Sequence, residues 1–330
     1  MNPRVLITRK LPDAVQKEIG PDWEVEMNGA PGHYSRDELL TRVRGRDAVL
    51  VMGDRIDEEV CAAAAPTCKV FANHGVGYNN IDVEAATKYG IYVTNTPDVV
   101  TGPTADLAWA LLLATARRVA EGDRLIRAGR WRLSDPFAML GTEVSGKTLG
   151  IVGAGRIGRA VAQRARGFNM DILYTANSPK PDFAAQTGAR FAELRQLLQS
   201  ADFVSVHVPL TPATRQLIGE QELTLMKPTA ILINTSRGPA VDEQALVKAL
   251  RSGGIGGAGL DVFEREPVLE PGLAELDNVV LTPHIGTSTL ETRIRMAAVC
   301  SRNIQAALAG QVPPNCLNPA ARMRQEERPR

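Results

Sequence analysis

A glycine-rich turn lies where a strand pattern ends and a helical pattern begins. Residues 149–152 form an apolar run, and the next six residues have the spacing Gly-x-Gly-x-x-Gly. In this context the first glycine allows a tight turn, the second lets the backbone approach a pyrophosphate, and the third lets the helix pack on the strand. The turn predicts a dinucleotide site, although a glycine-rich turn that binds no ligand is the alternative. The candidate contacts are Gly153, Gly155, Arg156, Ile157 and Gly158.

The stretch 174–180 bears on which dinucleotide would bind. An NAD-binding unit usually carries Asp or Glu about 20 residues after its glycines, where the carboxylate accepts from the ribose 2′-hydroxyl. Residues 174–180 contain no acid, and Asn177, Ser178 and Lys180 offer donors and a positive charge instead. The stretch therefore favours NADP over NAD as the cofactor. The alternative is a solvated turn in which Lys180 points to water.

Alternating strand and helix patterns predict the elements that position this turn. Ten short β-branched runs predict strands, at residues 4–9, 47–52, 69–74, 91–96, 148–153, 171–175, 203–208, 230–236, 257–262 and 278–283. Helical patterns lie between most of them, and one begins near Ser35, where Glu38 completes a capping box. The alternation predicts an α/β fold with parallel sheets, in two blocks that divide near residue 100. One long helix is expected over 101–129, and the polar tail 318–330 is expected to be disordered.

Charge and cysteine content argue against several kinds of partner. The net charge is +1, which provides no bulk attraction to nucleic acid or to an anionic membrane. No apolar run approaches the roughly 18–20 residues of a membrane span. The four cysteines form no CxxC pair, so free thiols in a reducing compartment are expected rather than metal ligands. The sequence predicts a cytoplasmic protein without a metal site.

Four motifs in order resemble the D-isomer-specific 2-hydroxyacid dehydrogenases. They are the glycine turn, SRGPAVDEQAL at 236–246, LDVFEREP at 260–267 and NVVLTPHIG at 278–286. The resemblance covers about residues 45–310 and is strongest to the glyoxylate- and hydroxypyruvate-reducing members. It implies two Rossmann-like domains, with a cofactor domain at 102–288 inserted into a substrate domain formed by 1–101 and 289–330. It also implies a homodimer with residues 101–145 at the interface.

The resemblance assigns three catalytic residues, Arg237, Glu266 and His284. An imidazolium at His284 would donate a proton to the carbonyl oxygen of a 2-oxo acid as hydride arrives. A carboxylate at Glu266 would orient the ring and favour its protonated form, and Glu264 is the rival for this role. The guanidinium of Arg237 would clamp the substrate carboxylate or carbonyl. For each residue alone, an ion pair, a loop acid or a helix cap is the alternative.

The remaining site residues also follow from the resemblance. Glycines in the segment 73–79 would free backbone N–H groups to hold a carboxylate, and a tight turn after a strand is the alternative. The expected substrate contacts are Met52, Gly75, Val76, Gly77, Arg237 and His284. The further cofactor contacts are Thr104, His207, Pro209, Thr235, Asp261 and Gly286.

The expected activity is hydride transfer from NAD(P)H to a small 2-oxo acid, giving the D-2-hydroxy acid. Glyoxylate-reducing members carry a further tryptophan where this chain has Ala138, although Trp131 is present. A smaller residue there predicts a roomier pocket that favours hydroxypyruvate or a bulkier acid over glyoxylate. The alternatives are a nucleotide-sensing corepressor-like protein, or a family dehydrogenase acting on phosphite, formate or phosphoglycerate. The extra tails or regulatory domain that some of these proteins carry are not expected in this sequence.

Overall fold

Two compact units make up the chain, and one is inserted into the sequence of the other. The structure is a computed structural model that describes residues 2–132 and 135–326. The first unit contains residues 2–100 and 287–326, and the second contains residues 101–286. None of the described helices combines the length and apolar composition that a membrane crossing requires.

The order of elements is the predicted α/β alternation. The strands are β1 (Arg4–Ile7), β2 (Glu24–Met27), β3 (Ala48–Val51), β4 (Val70–Asn73), β5 (Tyr92–Thr94), β6 (Thr148–Val152), β7 (Asp171–Thr175), β8 (Arg190–Phe191), β9 (Phe203–Val206), β10 (Ile231–Asn234), β11 (Gly257–Leu260) and β12 (Val279–Leu281). The helices are α1 (Asp13–Gln16), α2 (Arg36–Arg42), α3 (Glu58–Ala64), α4 (Val83–Lys88), α5 (Thr101–Ala116), α6 (Val119–Arg127), α7 (Arg156–Ala165), α8 (Pro181–Thr187), α9 (Leu194–Ser200), α10 (Glu220–Leu225), α11 (Glu243–Arg251), α12 (Leu290–Leu308) and α13 (Ala321–Glu326).

The first unit is built on a parallel sheet with the order β2-β1-β3-β4-β5. Alternate side chains of β3 enter two apolar layers, Val49 on one face and Leu50 on the other, as strand geometry requires. Helices α2, α3 and α4 complete one layer, and α1 and α12 complete the other. Ser35 and Glu38 form the predicted capping box at the start of α2.

The second unit is built on a seven-stranded parallel sheet with the order β12-β11-β10-β9-β6-β7-β8. The chain runs outward from β6 through β7 to β8, and then returns to the other side of β6 to form β9. This reversal creates a switch point between β6 and β9, which is where open α/β sheets bind ligands. Apolar side chains of α5, α7 and α8 cover one face, and those of α9, α10 and α11 cover the other.

The predicted single helix over 101–129 is wrong, because it breaks between α5 and α6. Arg118 adopts a left-handed conformation with φ of 52°. Its guanidinium holds both carboxylate oxygens of Glu121 at 2.8 and 2.7 Å, and it also contacts the carbonyls of Ala138 and Leu140. These tertiary contacts stabilise a break that no Gly or Pro marks in the sequence.

The predicted disorder of the tail is wrong for residues 318–326, whereas residues 327–330 lie outside the described part. Asn318 is buried and accepts from the backbone N–H of Val93 at 2.7 Å. Its amide donates to Thr87 and to the carbonyl of Ile91. These bonds anchor the tail to the edge of the first sheet, and α13 follows. The edge strands β2 and β8 were not predicted, because one alternates with charges and the other has only two residues.

Candidate active site

Three loops that carry potential catalytic side chains leave neighbouring strands of the second unit. Arg237 follows β10, Glu266 lies in the connection after β11, and His284 follows β12. Because the carboxyl ends of parallel strands lie at one edge of a sheet, these loops converge there. The fold thus brings together residues as far apart in sequence as Arg237 and His284, which are separated by 47 positions.

His284 and Glu266 form a hydrogen-bonded pair, with Nδ1 of the ring 2.8 Å from Oε2 of the acid. Burial raises the pKa of Glu266, but the hydrogen bond from His284, aided by Phe263 N–H and the charge of Arg237, holds that pKa below its usual range. The ionised carboxylate can only accept, so Nδ1 must carry a hydrogen. Nε2 has no hydrogen-bond partner among the described residues, and the side chain is 50% exposed. Nε2 is therefore available to a substrate.

The rival acid Glu264 lies in the same loop and makes a different contact. Its backbone N–H donates to the carboxylate of Glu243 at 2.7 Å. In contrast, Glu266 accepts from the N–H of Phe263 through Oε1 and faces His284 through Oε2. The geometry therefore gives the partner role to Glu266.

The backbone of His284 has a left-handed conformation that Asp261 supports. His284 has φ of 53°, a region that costs a residue with a side chain about 1–2 kcal/mol. Its N–H donates to the carbonyl of Asp261 at 2.9 Å. The carboxylate of Asp261 is buried and accepts from Thr282 Oγ1, from Ile285 N–H and from Gly286 N–H at 2.7–2.8 Å. Asp261 thereby holds the loop that presents the imidazole, which is the structural alternative to the cofactor contact expected from the resemblance.

Arg237 is half-buried at the start of a short 3₁₀ turn. Its Nη1 donates to the carbonyl of Ser236 at 2.6 Å, and its own carbonyl accepts from the Asn234 amide at 3.1 Å. Burial lowers the pKa of Arg237, and the negative charge of Glu266 opposes that shift. A guanidinium remains protonated in such a setting, so it can bind a carboxylate or a developing oxyanion.

The glycine turn lies at the switch point of the same sheet. Gly153 has φ of 106°, and a Cβ there would lie 2.7 Å from the carbonyl oxygen of His207. A Cβ on Gly158 would lie 2.2 Å from the carbonyl oxygen of Gly153. The N-cap of α7 is Gly155, where no atom lies within 4 Å of a Cβ position. Close packing at Gly153 and Gly158, together with open space at Gly155, fits a backbone that admits a pyrophosphate.

The other expected cofactor contacts fall in three places in the second unit. Thr104, Asp261 and Gly286 lie together, because the Cβ position of Gly286 is 3.2 Å from Asp261 Oδ2 and 3.6 Å from Thr104 Oγ1. Two of the expected contacts, His207 and Thr235, follow central strands, and each has a buried atom without a hydrogen-bond partner among the described residues, Nδ1 and Oγ1 respectively. Such orphaned polar atoms fit a site completed by a polar ligand. The exposed positions are Arg156, Asn177, Ser178, Lys180 and Pro209.

The expected substrate loop belongs to the first unit and follows β4. The carbonyls of Gly75 and Gly77 accept from the amide of Asn73 at 3.1 and 2.8 Å, and that of Val76 accepts from Asn95 at 2.8 Å. No hydrogen bond within the described residues uses the N–H of Val76 or Gly77. Carbonyls that are bound and N–H groups that are free make a concavity suited to an anion. Met52 follows the adjacent strand β3.

Two histidines lack charge-compensating partners in the described part of the chain: His74 is buried, whereas His207 is partly exposed but has a buried Nδ1. Burial, with the positive charge of Arg293 beside it, lowers the pKa of His74 to about 4. Burial lowers the pKa of His207 to about 3. His74 belongs to the first unit and His207 to the second, so both units contain a histidine that is neutral when folded.

These two histidines predict that acid destabilises the protein. An unfolded histidine has the ordinary pKa of 6.5, so below that pH the unfolded chain binds more protons than the folded one. Stability therefore falls as the pH drops from 6.5 towards 4 and 3, by about 1.4 kcal/mol per pH unit for each histidine. Urea unfolding at pH 7 and pH 5 should show this loss, and His74→Asn or His207→Asn should each remove about half of it. If both variants lose as much unfolding free energy between pH 7 and pH 5 as the wild type does, these histidines are not the cause of the acid destabilisation.

A glycine turn at the switch point of a doubly wound sheet, with a His–Glu pair and a half-buried arginine after other strands of the same sheet, defines a dinucleotide-dependent dehydrogenase. Residues 109–286 match the family described as D-isomer specific 2-hydroxyacid dehydrogenase, NAD binding domain. The glyoxylate reductase of Thermococcus onnurineus is 52% identical over 323 residues, covering 96% of this chain and 96% of that protein. That of Pyrococcus horikoshii is 51% identical, with the same coverage of both chains.

Solved structures agree with this similarity. A Thermus thermophilus protein has a TM-score of 0.87 and 46% identity, covering 95% of this chain and 99% of that one. The NADPH-dependent glyoxylate/hydroxypyruvate reductase of Sinorhizobium meliloti, solved with NADP and malonate, has a TM-score of 0.85 and 32% identity, covering 97% and 98%. The chain belongs to the D-isomer specific 2-hydroxyacid dehydrogenase family, as its sequence motifs predicted.

Proposed function

We propose that this enzyme uses NAD(P)H to reduce glyoxylate or hydroxypyruvate to the corresponding D-2-hydroxy acid. The observation that carries the proposal is the His284–Glu266 pair, whose free Nε2 can donate a proton beside a protonated guanidinium. The relatives named as glyoxylate reductases match the chain over almost its whole length. The activity for which these relatives are named therefore suggests the substrate class.

The reaction needs a hydride at C2 and a proton at the carbonyl oxygen. Reduced nicotinamide supplies the hydride when it is bound. Negative charge develops on the carbonyl oxygen as the C=O double bond is reduced, and the Nε2–H of protonated His284 neutralises it by donating its proton. The ring then remains as the Nδ1–H tautomer, because Glu266 still accepts from Nδ1. In the oxidative direction the same Nε2 lone pair accepts the hydroxyl proton.

We propose that two elements orient the substrate. The guanidinium of Arg237 offers paired donors to the carboxylate or the carbonyl oxygen of the 2-oxo acid. In the first unit, the free N–H groups of Val76 and Gly77 are the proposed contacts for a carboxylate, and Met52 is a proposed apolar contact. Fixing both the carboxylate and the carbonyl oxygen fixes which face of C2 is presented, and positioning of this kind supplies much of the barrier reduction.

The assay for this function is direct. The purified protein mixed with NADPH and hydroxypyruvate should lose nicotinamide absorbance, and glyoxylate and bulkier 2-oxo acids complete the panel. If the small residue at Ala138 widens the pocket, hydroxypyruvate should have the higher kcat/KM. Cofactor binding without turnover of any 2-oxo acid would favour a nucleotide-sensing protein. Turnover only with formate, phosphite or phosphoglycerate and oxidised cofactor would favour the other dehydrogenases.

We propose that the enzyme prefers NADP, because residues 176–180, directly after β7, contain no acid. The residues Ala176, Asn177, Ser178 and Lys180 are at least partly exposed, and the backbone of Lys180 is fixed by the hydroxyl of Tyr174 at 2.8 Å. A ribose 2′-phosphate would meet donors and a positive charge there. No carboxylate would repel it.

Replacing Ala176 with Asp should reverse the cofactor preference. The new carboxylate would accept from the ribose 2′-hydroxyl of NADH and repel the 2′-phosphate of NADPH. We expect the ratio of kcat/KM for NADPH over NADH to fall by about 10–100-fold, the size of one or two lost charge interactions. Ala176→Asn is the matched control and should leave the preference near that of the wild type. An equal loss of kcat/KM with NADPH and with NADH would contradict the proposed role of residues 176–180 in choosing the cofactor.

We further propose that unit 101–286 binds the cofactor, that the first unit binds the substrate, and that the enzyme is a homodimer. Large apolar side chains are exposed on α6 and in the segment after it, namely Val119, Ile126, Trp131, Phe137 and Leu140. Helix α6 has no buried residue. A patch of this kind is typical of a protein interface. Sedimentation at twice 35.6 kDa would support the dimer.

We also propose that the enzyme is cytoplasmic. Its four cysteines form no disulfide, and three of them are buried, which fits a reducing compartment.

A further inference from the structure

We propose that Glu243 is a positioning residue for the reduction, because its buried carboxylate fixes the loop that carries Glu266. This inference rests on the proposed function. Glu243 is the first residue of α11 and is only 2% exposed. Glutamate is almost never fully buried without a partner, so its placement beside the catalytic loop requires a physical reason.

The contact that Glu243 makes is with the catalytic loop. Oε1 accepts the backbone N–H of Glu264 at 2.7 Å. Oε2 is buried and has no hydrogen-bond partner among the described residues. Burying a carboxylate with one oxygen unsatisfied costs stability. Holding the loop is therefore the contribution that the structure assigns to this side chain.

Helix capping does not explain Glu243, because the residue before it supplies the cap. The side chain of Asp242 accepts from the N–H of Ala245 at 2.9 Å. The start of α11 is thus satisfied without the carboxylate of Glu243. The two adjacent acids therefore have separate roles: Asp242 caps the helix, and Glu243 contacts the loop.

The Phe263–Glu264 peptide group is held from two sides. Its N–H donates to Glu243, and its carbonyl lies directly against Gly238, where a Cβ would be 1.9 Å from the Phe263 carbonyl carbon. Gly238 follows Arg237 in sequence, so the turn that carries the guanidinium packs on the same peptide group. Movement of this peptide group would therefore disturb the contact between the guanidinium turn and the acid loop.

From this peptide group the geometry continues to the catalytic pair. The N–H of Phe263 donates to Oε1 of Glu266 at 3.0 Å, and Oε2 of Glu266 lies 2.8 Å from Nδ1 of His284. A displacement of about 1 Å in a positioned catalytic group can lower a rate by about 100-fold. Loss of the Glu243 contact should therefore lower kcat through Glu266, without any contact between Glu243 and substrate.

Three variants separate positioning from mere structural support. Glu243→Ala removes the acceptor, and we expect kcat to fall by about 10–100-fold while the Kd for NADPH stays unchanged. Burial raises the pKa of Glu243, and Glu243→Gln keeps a neutral acceptor at Oε1, so it should retain kcat within about threefold. Asp242→Ala is the matched control: it removes the helix cap and should lower the Tm while kcat stays at the wild-type value.

A double-mutant cycle with Glu266→Ala gives the decisive measurement. If Glu243 acts through Glu266, adding Glu243→Ala to that background should cause no further fall in kcat. An equal fold loss in both backgrounds, or a Glu243→Gln variant as impaired as Glu243→Ala, would overturn the inference. The number of NADPH sites per chain should be measured for each variant, so that kcat is calculated from the concentration of folded enzyme.

The cycle also separates this inference from the function on which it rests. If Glu266→Ala lowers kcat and Glu243→Ala does not, only the positioning role fails. If Glu266→Ala reduces hydroxypyruvate as fast as the wild type, the catalytic pair itself is wrong, and the role of Glu243 fails with it.

Discussion

The His284→Ala variant is expected to reduce hydroxypyruvate with a kcat about 10²–10⁴-fold below that of the wild type, which is the usual contribution of a positioned acid. The imidazole is the group placed to protonate the carbonyl oxygen, since Glu266 occupies Nδ1 and Nε2 is free. Without it, the oxyanion that forms during hydride transfer must take its proton from water. The Kd for NADPH, measured by quenching of protein fluorescence, should stay within about twofold of the wild-type value. A twofold change corresponds to less free energy than the loss of one ordinary hydrogen bond.

The first unit provides a matched control for this experiment. His33 forms a similar pair with Asp54, at 2.9 Å between Nδ1 and Oδ1, and its side chain is 52% exposed. It differs from His284 in position, because it does not follow a strand of the second sheet. His33→Ala should therefore keep the wild-type kcat. If both variants lose activity equally, or if His284→Ala loses cofactor affinity in parallel with kcat, His284 is structural.

The second large effect is expected for Arg237→Lys, which keeps the positive charge and removes the planar fork. A lysine ammonium cannot reproduce the paired donors that a carboxylate accepts from a guanidinium. A hydrogen bond to a charged group contributes about 1.5–3 kcal/mol, so loss of one of the paired bonds should lower kcat/KM for hydroxypyruvate by roughly 10–100-fold. Arg237→Ala should fall further, because it also leaves Glu266 without the neighbouring positive charge.

Steady-state kinetics can show which step Arg237 serves. If the guanidinium binds the substrate carboxylate, KM for hydroxypyruvate should rise in both variants. If it also stabilises the oxyanion, kcat should fall as well. Arg190→Lys, in the exposed edge strand β8, is the control and should match the wild type. Unchanged kcat and KM in Arg237→Lys would mean that charge alone, and not the fork, is required.

Local sequence patterns predicted much of the fold because their physical causes are local. A strand such as β3 is apolar at every position, and this pattern is typical of a strand that helices cover on both faces. The capping box at Ser35 and Glu38 depends on residues three positions apart. The break at Arg118 and the anchored Asn318 were not predicted, because their partners lie elsewhere in the chain.

The candidate site divides in the same way. The glycine turn and the ordered motifs near Arg237, Glu266 and His284 are visible in the sequence, and they sufficed to predict the family. The choice of Glu266 over Glu264 rested on the resemblance alone, whereas the structure adds a contact of 2.8 Å to His284. Nothing in the sequence distinguishes Glu243 from the many acids that begin helices and face water.

The sequence by itself determined where most of the strands and helices form, where the backbone can approach a pyrophosphate, and which residue types could transfer a proton. Only the tertiary structure decided which acid faces the imidazole, which carboxylates hold the loops, and how the left-handed backbone of His284 is supported. The reason is physical: propensity and periodicity act over a few residues, whereas the burial of Asp261 and Glu243 and their hydrogen bonds depend on segments about 20 residues away in the chain.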